Sequence, residues 1–227
     1  LGRQGVLFEE NVGQAPADAR FVARTKGHDY YFMSTGFVIR AREGAARDSI
    51  VQVSFSRDSK IKSLGRRDNV VSYCRSQDPA KWITGVAVVE EVVYRQAFPG
   101  VDVRFYDANG KVEFDFIVEP NAKPRDIVLR FAGASAVDVE SNVGIVYVGT
   151  SKLCFQIPRA YQPRPDGKSK AVDVEFVQRG PLSLGFNVAS YDQGCELIID
   201  PLSYAFSTFA GGSGVDSLHD VATDSLG

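Results

Sequence analysis

Apolar and polar side chains change places every second residue along most of this chain, in short runs bounded by Gly, Asn, Asp and Pro. A period of two marks a half-buried strand, because successive side chains point to opposite faces of a sheet. "RFVART", "HDYYFMS" and "GFVIRA" follow one another across short polar turns. In "SIVQVSFS", Val51, Val53 and Phe55 share one face, with Ile50, Gln52 and Ser54 on the other. "VAVVEEVVY", "VDVRFY" and "KVEFDFIV" continue the pattern. In the last of these, Val112, Phe114, Phe116 and Val118 share one face, and Lys111, Glu113, Asp115 and Ile117 the other. "DANG" at Asp107–Gly110 predicts a hairpin loop, since Asn-Gly accepts positive φ. The second half repeats the style in "DIVLRF", "GIVYVG", "AVDVEFVQ", "LSLGFNVASY" and "ELIID". No stretch carries a capped i, i+3, i+4 apolar stripe, so helices should be few or absent. "DPAKW" suits one helical turn, with Asp78 as N-cap and Pro79 at its first position. The pattern predicts an all-β, antiparallel, sandwich-like protein. The polar run Ser56–Asp68, which includes Arg66-Arg67, reads as an exposed loop and a place where two β subdomains would divide. A second boundary falls near Asp200-Pro201.

Composition narrows the function classes. The chain has 227 residues, 44% of them hydrophobic, enough for a sizeable core. A net charge of −2 lacks the basic footprint of a duplex-binding domain, so nucleic acid is not an expected partner. No apolar run approaches the roughly 20 residues that span a bilayer, so no transmembrane segment is expected. No signal-peptide pattern opens the chain, and the sole Met is Met33. Leu1 therefore reads as a cut or processed boundary. Cys74, Cys154 and Cys195 form no C-x-x-C pair, and His28 and His219 are the two histidines. That set does not make a structural zinc site. It leaves open one disulfide with a leftover thiol, or three free thiols.

Several residues are candidates for chemistry. Glu113 and Asp115 put two carboxylates on one strand face, which would serve glycoside hydrolysis if spaced correctly. The competing reading, a solvated polar stripe or ion pairing with Arg104, is the stronger one. Asp102 suits a turn or an arginine partner. Asp107 and Asn109 faintly echo a calcium loop but lack its remaining ligands, and turn chemistry explains them. A Ser-His-Asp triad would need His28 or His219, neither well placed. Cys154, in an alternating run, reads as a buried inert thiol. No catalytic, metal or cofactor site is expected. Tyr30, Tyr31 and Trp82 remain as binding candidates, because exposed rings stack on sugars or anchor partners. For Trp82 the favoured reading is a plug at one end of the core.

Five ordered stretches carry a resemblance: "FEENVGQ" at Phe8–Gln14, "DPAKWITGV" at Asp78–Val86, "YRQAFPGVDVRFY" at Tyr94–Tyr106, "EFDFIVEPNAKP" at Glu113–Pro124 and "LIIDP" at Leu197–Pro201. They resemble the motifs of an uncharacterised bacterial domain that sits N-terminal to SBBP-type β-propeller repeats. Asn121 stands where that domain usually has Gly, and Cys74 interrupts "VSYCRSQDP", where it tends to have an aromatic–apolar–Gly-Asn run. "STFAGGSGVDSLHDVATDSLG" from Ser207 resembles the start of the first propeller repeat. A repeat cannot bury its apolar face alone, so this segment is expected to be partly disordered or parked as an extra strand. The resemblance implies a non-enzymatic structural or interaction module of a large secreted or cell-surface bacterial protein. Its expected partners are its own C-terminal propeller, beyond this chain, and an extracellular protein or glycan. A carbohydrate-binding or glycoside-processing accessory role, using Trp82, Tyr30, Tyr31, Glu113 and Asp115, is the alternative.

Overall fold

The computed structural model describes residues 5–42, 49–55, 58–149, 151–201 and 203–208. Nineteen strands lie among them, with two short 3-10 turns at Pro79–Lys81 and Pro124–Asp126. The protein is all-β and antiparallel, as the alternation predicts. The strands β1 (Phe8–Glu10), β2 (Phe21–Arg24), β3 (His28–Met33), β4 (Gly36–Ala41) and β5 (Ile50–Ser54) form one meander. A second comprises β6 (Lys60–Tyr73), β7 (Ile83–Phe98), β8 (Val101–Ala108) and β9 (Lys111–Val118).

The long strand β7 joins the two meanders. One of its edges pairs with β6 nearly throughout. The other pairs with β8 between Val92 and Phe98, then with β1 at Val88 and Val89. β8 and β1 therefore lie end to end. The Val6 N–H pins this junction by donating to Asp107 Oδ1 at 2.9 Å.

Beyond β5 the large sheet continues through β10 (Val128–Ala132), β17 (Ser183–Val188) and β16 (Val174–Gly180). Beyond β9 it continues through β18 (Leu197–Asp200), β14 (Arg159–Pro163) and β15 (Ser169–Val172). Asp173 alone separates β15 from β16, the strands at the two ends. The sheet is thus curled nearly into a barrel. "AVDVEFVQ", expected as one strand, is two: its alternation runs on while its partner changes from β14 to β17. Periodicity records which side chains are buried, not which backbone is bonded.

A small sheet of β11 (Ala136–Glu140), β12 (Val143–Val148), β13 (Ser151–Phe155) and β19 (Ser203–Thr208) packs onto the same core. Phe155 brings its ring within 6.4 Å of Phe114, Phe131 and Phe176. β19 carries the chain past Pro201 as an added strand beside β13. Residues 209–227, His219 among them, lie outside the described residues, and with them most of the segment expected to begin a propeller repeat.

The core is aromatic. Phe105 is fully buried, with its ring centre 4.9 to 5.8 Å from those of Phe37, Phe32, Phe114 and Tyr94. The Tyr94 hydroxyl donates to the Gly36 carbonyl at 2.7 Å, which satisfies a polar group inside an apolar cluster.

One expectation is overturned here. Residues from Lys60 onward in the run read as a loop form the strand β6, which includes Arg66 and Arg67. Most β6 side chains are exposed, so no buried stripe marks it in the sequence. Backbone pairing to β7 holds it instead. Gly65, at φ +66°, and a register shift between Arg66 and Val70 bend it.

Candidate functional site

The β6–β7 ribbon ends in a turn built by the "DPAKW" stretch. Asp78 Oδ1 accepts the Ala80 N–H at 3.0 Å, as an N-cap does, and Pro79 opens the 3-10 turn. Trp82 closes the turn, its indole N–H donating to the Ser76 carbonyl at 2.7 Å. It is 41% exposed and does not plug the core. Pro79–Lys81 contains no buried residue, and the hydrogen bond to Ser76 orients the indole.

Beside this turn a polar cluster ties the ribbon to the first meander. Glu9 is buried and accepts from Arg24 Nη1 at 3.1 Å, from Gln14 Nε2 at 3.4 Å and from the Tyr73 hydroxyl. The guanidiniums of Arg24 and Arg75 lie 5.3 and 4.7 Å from the centroid of the Tyr73 ring. Burial, and then its hydrogen bond to Glu9, pushes the Tyr73 hydroxyl up to about 12. It therefore donates as a neutral group at physiological pH. Asp29, also buried, pairs with Arg42 Nε at 3.1 Å.

The aromatic platform that the carbohydrate-binding alternative requires is not assembled. Tyr30 turns towards the core beside His28, their ring centres 6.4 Å apart, and burial pushes its hydroxyl up to about 12. Tyr31 takes the opposite face of β3 and donates to Asp29 Oδ2 at 3.5 Å. Trp82 sits in the turn of a different strand pair.

The carboxylates of β9 lie on the outer face of the large sheet. Asp115, 3% exposed, accepts from Arg104 Nη2 at 2.8 Å and from the Tyr106 hydroxyl at 3.0 Å. The Arg104 guanidinium also lies 5.5 Å from the Tyr106 ring centroid. Asp102 is fixed by Arg95 and by the Gln96 N–H at 2.8 Å. Asp107 Oδ1 accepts the Gly110 N–H at 2.8 Å, and Asn109 and Gly110 take φ of +56° and +84°, as hairpin chemistry requires. A catalytic base needs lone pairs aimed at substrate. Those of Glu9, Asp102 and Asp115 are engaged by arginine, tyrosine and backbone donors. Among the described residues, no three His, Cys, Asp or Glu side chains converge as metal ligands. Cys74 and Cys195 are exposed thiols, and Cys154 is a half-buried one rather than fully buried.

Glu113 differs from its neighbours. Burial raises its carboxyl above the usual glutamate value, and the nearby Asp200 charge adds to the shift. A raised pKa in the folded state favours the protonated form. Its stabilising contribution is complete below the unfolded value and is lost as pH rises through the folded one. Glu113→Gln should therefore be more stable than the parent at pH 7, with the difference vanishing near pH 4. Urea unfolding at the two pH values measures this; equal stability at both would place Glu113 in water.

Fold and site together define an all-β protein whose buried carboxylates Glu9, Asp29, Asp102 and Asp115 are held by arginine, tyrosine or backbone donors. The chain belongs to the family described as "Domain of unknown function (DUF7948)", which matches residues 8–202. No curated protein and no solved structure matches it.

Proposed function

We propose that this chain is a non-catalytic interaction module of a large secreted or cell-surface bacterial protein, set ahead of a β-propeller, and that it docks through the β6–β7 ribbon. The observation that carries the reading is the outer edge of β6. Among the described residues β6 pairs with β7 alone, leaving a 14-residue strand with one open edge. Leu64 and Val70 on it are 51% and 55% exposed, and Trp82 stands at the ribbon's turn. Such an edge accepts an added strand through backbone hydrogen bonds.

Charge narrows the partner. Lys60, Lys62, Arg66 and Arg67 lie along β6, and cations with a bulge discourage indiscriminate pairing. The matching partner is an extended acidic segment. The propeller-like stretch from Ser207 has Asp216, Asp220 and Asp224 and no Lys or Arg, which supports repeats of that kind as the partner. The engaged carboxylates favour binding over catalysis.

The test is hydrogen exchange on this chain, alone and joined to its propeller repeats. Docking should slow the amides of residues 60–64 and 70–73 at least about tenfold, as new cross-strand bonds protect them. Leu64→Lys with Val70→Lys should abolish that protection without changing thermal unfolding. Unchanged exchange along β6 in the joined protein would reject the reading.

A further inference from the structure

We propose that a cleft between residues 121–125, the end of β16 and residues 187–193 binds an acidic oligosaccharide, a sugar chain bearing carboxylate or sulfate groups. The cleft measures about 370 Å³. That lies inside the range of roughly 300–1,000 Å³ usual for small-ligand sites. Lys123, Arg125 and Arg179 line it, and among the described residues no carboxylate side chain does. In a chain of net charge −2 this is a local reversal of sign.

The walls are fixed before any ligand arrives. Arg179 lies flat across Gly185: a Cβ there would come within 2.8 Å of Arg179 Cγ. Its Nη2 donates to the Phe186 carbonyl at 3.0 Å. A guanidinium has five N–H donors, so this anchor orients the group while leaving capacity to bind. Across the cleft, the Asn121 N–H donates to the Gln193 carbonyl at 2.8 Å, and the Tyr191 hydroxyl reaches the Ala122 carbonyl at 3.5 Å. The 3-10 turn at Pro124 holds Lys123 and Arg125 on the rim, through the Ile127 N–H to the Pro124 carbonyl at 3.1 Å. Of the acids beside the cleft, Glu175 accepts from Asn187 Nδ2 at 2.7 Å, Asp192 Oδ1 accepts the Gly194 N–H at 2.9 Å, and Asp126 follows Arg125 in the 3-10 turn.

The lining matches an acidic sugar group by group. The cations take the carboxylate or sulfate. The amides of Asn121, Asn187 and Gln193 can both donate and accept, as hydroxyl groups require. Tyr191 supplies an aromatic body for a C–H face. An inorganic anion would use only the cations. This cleft shares no residue with the β6–β7 ribbon, so either proposal can fail alone.

The experiment is titration calorimetry of the chain with tetragalacturonate, a heparin tetrasaccharide, neutral cellotetraose and sodium sulfate. At least one acidic oligosaccharide should bind, with affinity falling as salt screens the contacts, and cellotetraose should not. The carboxylated and sulfated arms separate the two sources of charge. Lys123→Ala with Arg125→Ala should weaken binding about tenfold or more, as losing about 1.4 kcal/mol does. Both residues are exposed, so thermal unfolding should stay unchanged, and Arg125→Lys should keep most of the affinity. Equal affinity in the double variant overturns the proposal. So does binding of sulfate as tight as that of the sugars, or no binding of either acidic oligosaccharide.

Discussion

Phe105→Ala lowers the unfolding free energy by about 4 kcal/mol, the middle of the range for deleting a buried ring. Phe105 is fully buried and touches rings from β3, β4, β7 and β9. Those strands are held by backbone ladders in a curved sheet, so they cannot close over the void. The cavity term therefore adds nearly in full to the lost transfer term. Urea denaturation with an unchanged m-value measures the effect. Phe105→Leu should recover more than half of it. A loss below about 1 kcal/mol would mean the site collapses freely and the aromatic cluster is not a rigid core.

Gly36→Ala should cost about 3 kcal/mol through a different mechanism, backbone strain added to overpacking. Gly36 has φ +146°, and a Cβ there would stand 2.0 Å from the Val53 carbonyl oxygen. That oxygen belongs to the neighbouring strand, so relief requires β4 and β5 to part. The Gly36 carbonyl is also the acceptor for Tyr94, so a shift there disturbs the buried hydroxyl. Gly85→Ala is the control. Its φ is +69°, but nothing lies within 4 Å of the added atom. It should cost about 1 kcal/mol, the left-handed penalty alone. Thermal unfolding of both variants decides. Equal losses would remove the steric argument.

What the residue pattern revealed depended on what each residue spends its side chain on. Strands with one buried face, such as Lys111–Val118, were legible because burial imposes the alternation. The "DANG" hairpin and the Asp78 cap were legible because local backbone bonds demand particular residues. β6 was not, since a strand exposed on both faces leaves no stripe and its cations suit a loop equally well. Trp82 was misplaced because a lone aromatic beside a turn reads the same whether it faces inward or outward. The Arg104–Asp115 pair was foreseeable from alternation across adjacent strands. The Glu9–Arg24–Tyr73 cluster was not, because Tyr73 lies 64 residues from Glu9 and only the ribbon brings it there. Residues carrying the family resemblance have largely structural duties. Asn11 Oδ1 accepts the Gly13 N–H at 3.1 Å, and its Nδ2 donates to the Pro16 and Ala19 carbonyls. Asp102 Oδ1 accepts the Gln96 N–H at 2.8 Å. The cleft at Lys123 and Arg125 had no comparable signal, since its walls come from segments more than fifty residues apart.

Asp173 gives the large sheet a property that its order of strands does not suggest. A sheet with free margins can fray at one side while the other stays intact. Here the marginal strands β15 and β16 are consecutive in the chain, tied by one residue. A single residue spans only about 3.5 Å when extended, so neither margin can move far without drawing the other. The two sides of the seam should open and close together, as a zip with one slider rather than two loose ends.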